Sequence, residues 1–311
     1  MSAPRILVVA GPTATGKTKL GVRLCRELGG EVVSADSMQI YKYMDIGTAK
    51  PTAEETEGIP HHMIDAASPF DNYSAALYVK QAAACVDDIL SRGKVPVIVG
   101  GTGLYIDSLV SGREFAPREG GDEKRRELER QYDELGGEKM LAILAETDRE
   151  RAEKLHPNDK KRIVRALEIA GSGENMSEHD RQDGARPPKY DASYVILNYE
   201  SREELYRRID SRVDVMMERG LESEVRSLLD MGLPRECTAM QAIGYKEMAA
   251  ALYGECSVED AVEKIKQGSR RYAKRQITWF GKYDALRINW KNTPDFDEAL
   301  RVSTTFWRGQ S

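Results

Sequence analysis

A short apolar run over residues 6–10 ends in Gly11-Pro12-Thr13-Ala14-Thr15-Gly16-Lys17-Thr18 and passes directly into helical spacing over residues 17–28. No other feature constrains the chain as much as this order of strand, glycine loop and helix. The eight loop residues fit G-x-x-x-x-G-K-[ST], and the flanking strand and helix are the context that motif needs. Backbone N–H groups of such a loop and the positive end of the helix converge on an anion. Lys17 adds a full charge, and the Thr18 hydroxyl can ligate a magnesium ion that bridges phosphate oxygens. Residues 11–18 therefore read as a diphosphate cradle, with Thr18 as the metal-binding side chain and Mg2+ as the cofactor.

Further apolar runs at 31–35 and 95–99 read as buried parallel strands, with a helix over 73–92 between them that Gly93 ends. Strand alternating with helix predicts an α/β fold, a P-loop NTPase-like doubly wound parallel sheet with a helical insertion domain. The character changes near Gly112. Residues 114–190 are charged and mostly helical in period, with Gly120-Gly121, Gly136-Gly137 and a polar, glycine-bearing stretch over 171–188 that reads as mobile. A strand at 193–197 returns to the sheet, and everything from about Ser201 reads as helical. The expected organisation is a first part of the core over 1–113, an inserted domain over 114–190, and a second part of the core over 191–311 with a basic helical end.

With 46 Lys and Arg against 51 Asp and Glu, the net charge is -5. Uniform attraction to nucleic acid is thereby excluded, and any such binding must use local basic patches. Cys25, Cys85, Cys237 and Cys256 form no C-x-x-C pair, so neither a zinc knuckle nor a redox motif is indicated. No apolar run approaches the roughly 18 residues of a membrane helix. The first residues, Met-Ser-Ala-Pro-Arg, lack the marks of a signal peptide. A cytoplasmic monomer with reduced thiols is the expectation.

Nucleotide-hydrolysing P-loop enzymes carry an acid at the end of another strand to hold the metal shell. Here the strand 95–99 runs into Gly100-Gly101-Thr102-Gly103, without an acid. The acid is instead Asp36, just after the second strand, at the carboxyl edge where α/β ligands bind. That place suits a base acting on an acceptor better than a metal ligand. Taken alone, Asp36 reads equally well as a turn or helix cap, and Thr102 as a simple turn residue.

Six further blocks follow the cradle in order. They are Asp36-Ser37-Met38-Gln39-Ile40-Tyr41 continuing to Asp45-Ile46-Gly47-Thr48-Ala49-Lys50-Pro51, then His61-His62-Met63-Ile64-Asp65, then the Gly100 turn. His156-Pro157-Asn158-Asp159 with its basic helix, Ala242-Ile243-Gly244-Tyr245-Lys246-Glu247 and Ala273-Lys274-Arg275-Gln276-Ile277-Thr278-Trp279 complete the series. In this order the sequence resembles the tRNA dimethylallyltransferase (isopentenyltransferase) family in its bacterial form, over about residues 6 to 279. The resemblance implies transfer of a dimethylallyl group from dimethylallyl diphosphate to the exocyclic amine of the adenosine 3′-adjacent to the anticodon. It implies Asp36 as general base, Thr102 as a group orienting the amine, and Arg212, in Arg-Val-Asp-x-Met, as a pyrophosphate contact. Arg212 could otherwise be a solvated charge paired with Asp210 or Asp214.

The partner would be the anticodon stem-loop of tRNA. The resemblance places Asp36, Ser37, Met38, Gln39 and Thr102 against it, together with Lys160, Lys161, Arg162 and Arg165 on a helix that Asn158 or Asp159 caps. Arg125 matches a further contact, its register shared with Lys124 and Arg126. Residues 264–283 hold seven Lys or Arg and no acid, with Lys274 and Arg275 as the chosen phosphate contacts. The rival readings are a P-loop kinase acting on a small metabolite and an RNA-binding GTPase-like switch. The kinase does not explain the basic patches or the Gly-Gly-Thr-Gly turn, and the switch would need an N-K-x-D-like guanine signal that the sequence lacks.

Overall fold

The computed structural model describes residues 3–115, 121–171, 173 and 175–309, with the backbone alone at 121 and 122. Its centre is a sheet of six parallel strands: β1 (Arg5–Ala10), β2 (Gly30–Ala35), β3 (His61–His62), β4 (Val95–Gly100), β5 (Asp191–Tyr199) and β6 (Leu286–Trp290). Their order is β3-β2-β4-β1-β5-β6. The fold is α/β, as the apolar runs predict. Residues 6–10 of the central strand β1 are all fully buried, which is why that strand is apolar throughout rather than alternating. Leu20 and Leu24 of the helix Lys17–Leu28 share one core with Val97 and Val99 of β4 and with Leu205 and Ile209 of the helix Arg202–Glu218.

Register decides what meets at the carboxyl edge. Gly100 pairs with Ala10 on one side and with Ala35 on the other. Three strands therefore end level, and the loops that begin at Gly11, Asp36 and Gly101 leave the sheet together.

Two strands escape the sequence pattern. The chain after Ser201 is not wholly helical, because β6 lies within it. This edge strand is five residues long and carries Arg287 and Asn289, so its apolar signal is only an alternation of Leu286, Ile288 and Trp290. β3 is two histidines, too short and too polar to read as a strand. Caps account for the shifted helix ends. Ser74 accepts the N–H of Leu77, so the helix expected over 73–92 runs Ala75–Ser91. Ser201 accepts the N–H of Glu204 and starts Arg202–Glu218.

The chain divides into two compact units, Met1–Gly112 with Lys189–Ser311, and Arg113–Pro188. The second packs the helices Gly121–Leu135, Gly137–Ala145 and Lys160–Ala170 around Met140, Leu144, Ile163 and Ala166. The stretch 171–188, expected to be mobile, contains the helix Met176–Ala185. Asn175 caps it, and the Asp148 carboxylate accepts both the N–H and the hydroxyl of Ser177. Gly120 and residues 172 and 174 lie outside the described residues. Among the described residues no helix is long and apolar enough to cross a membrane.

One buried carboxylate ties the amino-terminal ends of the strands. Glu31 of β2 is 3% exposed. It accepts hydrogen bonds from Arg92 at 2.8 Å and Lys94 at 2.7 Å, and it meets Nε2 of His62 at 2.7 Å. The Arg92 hydrogen bonds, ahead of the opposing effect of burial, hold its carboxyl well below the usual range. A depressed carboxyl stabilises the fold fully above its unfolded value and loses that contribution as pH falls towards its folded value. Because Arg92 and Lys94 are partly solvated, Glu31→Gln should cost about 1–3 kcal/mol at neutral pH, as read by urea unfolding. The gap from wild type should narrow steadily below the ordinary glutamate value of 4.5.

Candidate active site

The cradle is held from three sides. Gly11 has φ +141°, and a Cβ there would lie 2.2 Å from the Leu197 carbonyl oxygen of β5, so only glycine lets the chain turn so close to the sheet. The Trp290 indole N–H donates to the Thr15 carbonyl at 3.0 Å, which gives edge strand β6 its purpose. The Thr15 hydroxyl donates to the Pro12 carbonyl at 2.8 Å. Thr13, Ala14, Gly16, Lys17 and Thr18 border a cavity of about 530 Å³. Gly11, Pro12 and Thr15 lie buried behind it. Lys17 folds back across the loop, its Nζ donating to the Pro12 carbonyl at 2.8 Å.

The turn 36–39 borders the same cavity. Oδ1 of Asp36 accepts the N–H of Met38 at 2.9 Å and of Gln39 at 3.3 Å. Asp36 is therefore a turn cap, as one of its readings had it. The same bonds fix the carboxylate, and among the described residues Oδ2 has no hydrogen-bond partner. Thr102 stands at the cap position of the helix Gly103–Ser111 but makes no cap bond. Its Oγ1 accepts the N–H of Ser37 at 3.0 Å, which joins the glycine turn to the Asp36 turn from behind. Gly100 and Gly101 border the cavity at that point.

Arg212 reaches the cavity from the helix Arg202–Glu218, whose buried face is Leu205, Ile209 and Val213. Its two acidic neighbours are occupied elsewhere. Asp210 takes Arg270 at 2.5 Å and Asp214 takes Lys266 at 2.7 Å. Among the described residues the Arg212 guanidinium makes no ion pair. Burial lowers its pKa, while Asp36 and Glu55 raise it. Lys17 borders the cavity, but protein crowds its ammonium. Burial first and the Arg212 charge second push its pKa down to about 7, against the pull of Asp36. Two desolvated cations thus share the cavity wall with the carboxylates of Asp36 and Glu55, and a diphosphate would neutralise the cations. Apolar wall between these charges comes from Ile209, Val213, Met216, Ile243 and Ile265.

Gln276 belongs to the site although the sequence pointed to its cationic neighbours. Its Oε1 accepts the N–H of Thr13 at 3.0 Å and its Nε2 donates to the Gly101 carbonyl at 2.9 Å. A Cβ on Gly101 would lie 2.2 Å from that amide nitrogen. Tyr272 and His61 also border the cavity. His61 bonds the Ile59 carbonyl through Nδ1 at 2.8 Å, which makes Nδ1 the protonated nitrogen. A pair of histidines in a polar loop gave no signal for this.

The basic residues divide by their partners. Arg275 borders the cavity and lies over the Tyr272 ring, while Lys274 is exposed on the same helix, Val258–Phe280. Among the described residues Arg271, Lys274 and Arg275 have no acidic partner, whereas Lys282 pairs with Asp107 at 2.6 Å. In the other unit Lys160 pairs with Asp133 at 2.6 Å and Arg162 with Asp159 at 3.0 Å. Arg165 bonds Glu168 at 3.4 Å, and Arg125 bonds Glu129 at 2.9 Å. Lys161 is exposed. Asp159 occupies the cap position of the helix Lys160–Ala170 but makes no side-chain cap bond, its carboxylate being turned to Arg162.

Residues 39–283 match the model of the IPP transferase family. The chain is 51% identical to a tRNA dimethylallyltransferase of Caldanaerobacter subterraneus subsp. tengcongensis over 287 residues, 92% of this chain and 91% of that one. It is similar to the crystal structure of a tRNA isopentenylpyrophosphate transferase from Staphylococcus epidermidis, at 42% identity and a TM-score of 0.71, covering 99% of this chain and 100% of that one. A eukaryotic dimethylallyltransferase acting on tRNA is similar at 30% identity and a TM-score of 0.84, over 99% of this chain and 80% of that one.

A Lys17 pKa of about 7 has a measurable consequence. A lowered lysine is charged below its folded pKa and neutral above it, so an anion bound beside it at about pH 8 draws a proton from solvent. Calorimetry of inorganic pyrophosphate binding in buffers of different ionisation heat should show greater proton uptake at about pH 8 than at about pH 6. Lys17→Met should abolish that difference, and equal uptake in both proteins would rule out Lys17 as its source.

Proposed function

The chain belongs to the IPP transferase family, and we propose that it is a prenyltransferase that moves the dimethylallyl group of dimethylallyl diphosphate to the exocyclic amine of the adenosine 3′-adjacent to a tRNA anticodon. The observation that carries this reading is the single cavity that Lys17, Arg212 and Asp36 all border.

The adenine amine is a weak nucleophile because its lone pair is delocalised into the ring. Oδ2 of Asp36 accepts the amine proton as the nitrogen bonds to C1 of the dimethylallyl group. The C1–oxygen bond breaks, and its electron pair leaves with pyrophosphate. Lys17, Arg212 and the N–H groups of the cradle are already in place for the charge that grows on that oxygen. The apolar wall from Ile209 to Ile265 suits the five-carbon tail. The acceptor base has to leave the stacked anticodon loop to reach this cavity. Thr102 acts through Ser37, holding the turn 36–39 against which the base is presented.

The Thr18 hydroxyl, beside Lys17 on the cavity wall, fits one ligand position of a magnesium ion. Among the described residues no three His, Cys, Asp or Glu side chains gather to hold a metal. The donor set would thus suit an ion that arrives with the diphosphate, with the Thr18 hydroxyl as the side chain that would hold it. Bound there, magnesium would neutralise charge on the leaving diphosphate.

Lys274 and Arg275, without acidic partners among the described residues, and the helix Lys160–Ala170 with Arg125 are the phosphate contacts on this reading. We place the enzyme in the cytoplasm as a monomer, in keeping with its free cysteines and an RNA substrate.

Incubation of undermodified tRNA with labelled dimethylallyl diphosphate tests the activity, and turnover of ATP on a small acceptor would indicate the kinase instead. Asp36→Asn keeps an oxygen to cap the turn but removes the base. Single-turnover transfer should fall by roughly 10²- to 10⁴-fold, with both substrates bound within a few-fold of wild type. A variant with near-normal turnover would leave Asp36 as a cap alone. For the RNA, binding should weaken steeply with salt. The Lys274→Gln, Arg275→Gln pair should reduce the slope of log affinity on log salt by about 1 to 2, and an unchanged slope would take this patch out of the interface.

A further inference from the structure

Two sequence blocks, 45–50 and 242–247, supply no charged or proton-transferring group to the chemistry above, yet one carboxylate joins them. Glu224 stands on the helix Leu221–Asp230. Its Oε2 accepts the backbone N–H of Asp45 at 2.8 Å and of Ile46 at 2.7 Å. Its Oε1 accepts the N–H of Gly47 at 3.0 Å and the hydroxyl of Tyr245 at 2.5 Å. Tyr245 is fully buried, and its ring lies so close to Gly47 that a Cβ there would come within 2.5 Å of it. Both segments line the cavity, Gly47, Thr48 and Ala49 from one and Ala242, Ile243 and Lys246 from the other.

The loop is also tied to the acceptor turn. Nε2 of Gln39 donates to the carbonyls of Thr48 and Ala49, each at 3.2 Å, and the N–H of Gln39 donates to Asp36. A continuous hydrogen-bonded path thus runs from Glu224 through the loop 45–49 and Gln39 to the Asp36 carboxylate. Lys50 clamps the outer side of this loop, bonding Asp45 at 2.5 Å, Asp65 at 2.6 Å and the Tyr41 carbonyl at 2.9 Å.

We propose that Glu224, assisted by Tyr245, is a positioning residue for the acceptor half of the site: it sets the spacing of the 45–49 and 242–246 walls and, through Gln39, aims Asp36. This rests on the function proposed above. Four donors converge on Glu224, and only a carboxylate can accept them on both oxygens. A glutamine of the same size would present an amide N–H₂ to two of those donors.

The test uses full-length Glu224→Gln and Tyr245→Phe, assayed for transfer to tRNA at saturating substrates. Rates are scaled to the folded fraction, measured by inorganic pyrophosphate binding stoichiometry. For Glu224→Gln, kcat should fall roughly 10- to 100-fold, the scale of a small misplacement of reacting groups. For Tyr245→Phe the loss should be about 2- to 5-fold. The pyrophosphate dissociation constant should stay within about twofold, because Lys17 and Arg212 do not depend on this joint. Amide exchange at residues 45–47 should quicken in Glu224→Gln. A merely structural glutamate would lower the folded fraction and leave kcat per folded molecule unchanged, which would overturn the proposal. So would a loss of pyrophosphate affinity equal to the loss of kcat. A wild-type chain that does not prenylate tRNA would instead overturn the function on which the proposal rests.

Discussion

Two glycine loops on neighbouring strands are held at a fixed distance by one buried amide. Gln276 accepts from the cradle at Thr13 and donates to the turn at Gly101, so both ends of its side chain are satisfied. The rest of the site depends on that spacing. Gly101 leads to Thr102, Thr102 holds Ser37, and Ser37 follows Asp36. The distance from the loop 11–18 to the Asp36 carboxylate is therefore set by backbone and buried polar contacts rather than by long exposed side chains. A buried amide suits this task because an unsatisfied partner would cost about 1–3 kcal/mol, which makes the alternative spacings unfavourable.

Charge is distributed on the same logic. The chain is acidic overall, and most of its cations are spent in pairs with nearby acids. Lys17 and Arg212 are different, because burial leaves both cations less favourable than in water and the Arg212 charge adds to this at Lys17. Such a pair is poised to gain from an incoming anion. The surface pairs on Lys160 and Arg162 are each worth at most about 1 kcal/mol, so they can be exchanged for phosphate at little cost.

Asp36 is a structural cap and, on the function proposed above, also the base. Its carboxylate has an oxygen for each of the two readings. Oδ1 fixes the turn, and among the described residues Oδ2 has no hydrogen-bond partner. Glu224 repeats the pattern at the back of the cavity, where a carboxylate organises backbone that would otherwise be a loose loop.

The strand-loop-helix unit, the apolar run of β1, the ends of the helix Lys17–Leu28 and the cradle residues were all legible in the sequence, because each shows as a pattern of residue types within a few positions. Asp36 was legible for the same reason, as an acid placed directly after a strand. β6 was not, because an edge strand needs only one apolar face and shows five residues of weak alternation. Gln276 and Glu224 were not, since each bonds backbone far away in the chain and a neutral amide or a surface-like glutamate carries no periodic signal. Arg212 was found by its motif, but its freedom from Asp210 and Asp214 came from the helix Val258–Phe280, which takes both acids. Local spacing determined most of the elements and which loop is the candidate anion site. Only tertiary structure decided which polar groups are left without a partner to face the cavity, because that depends on which distant groups satisfy the others.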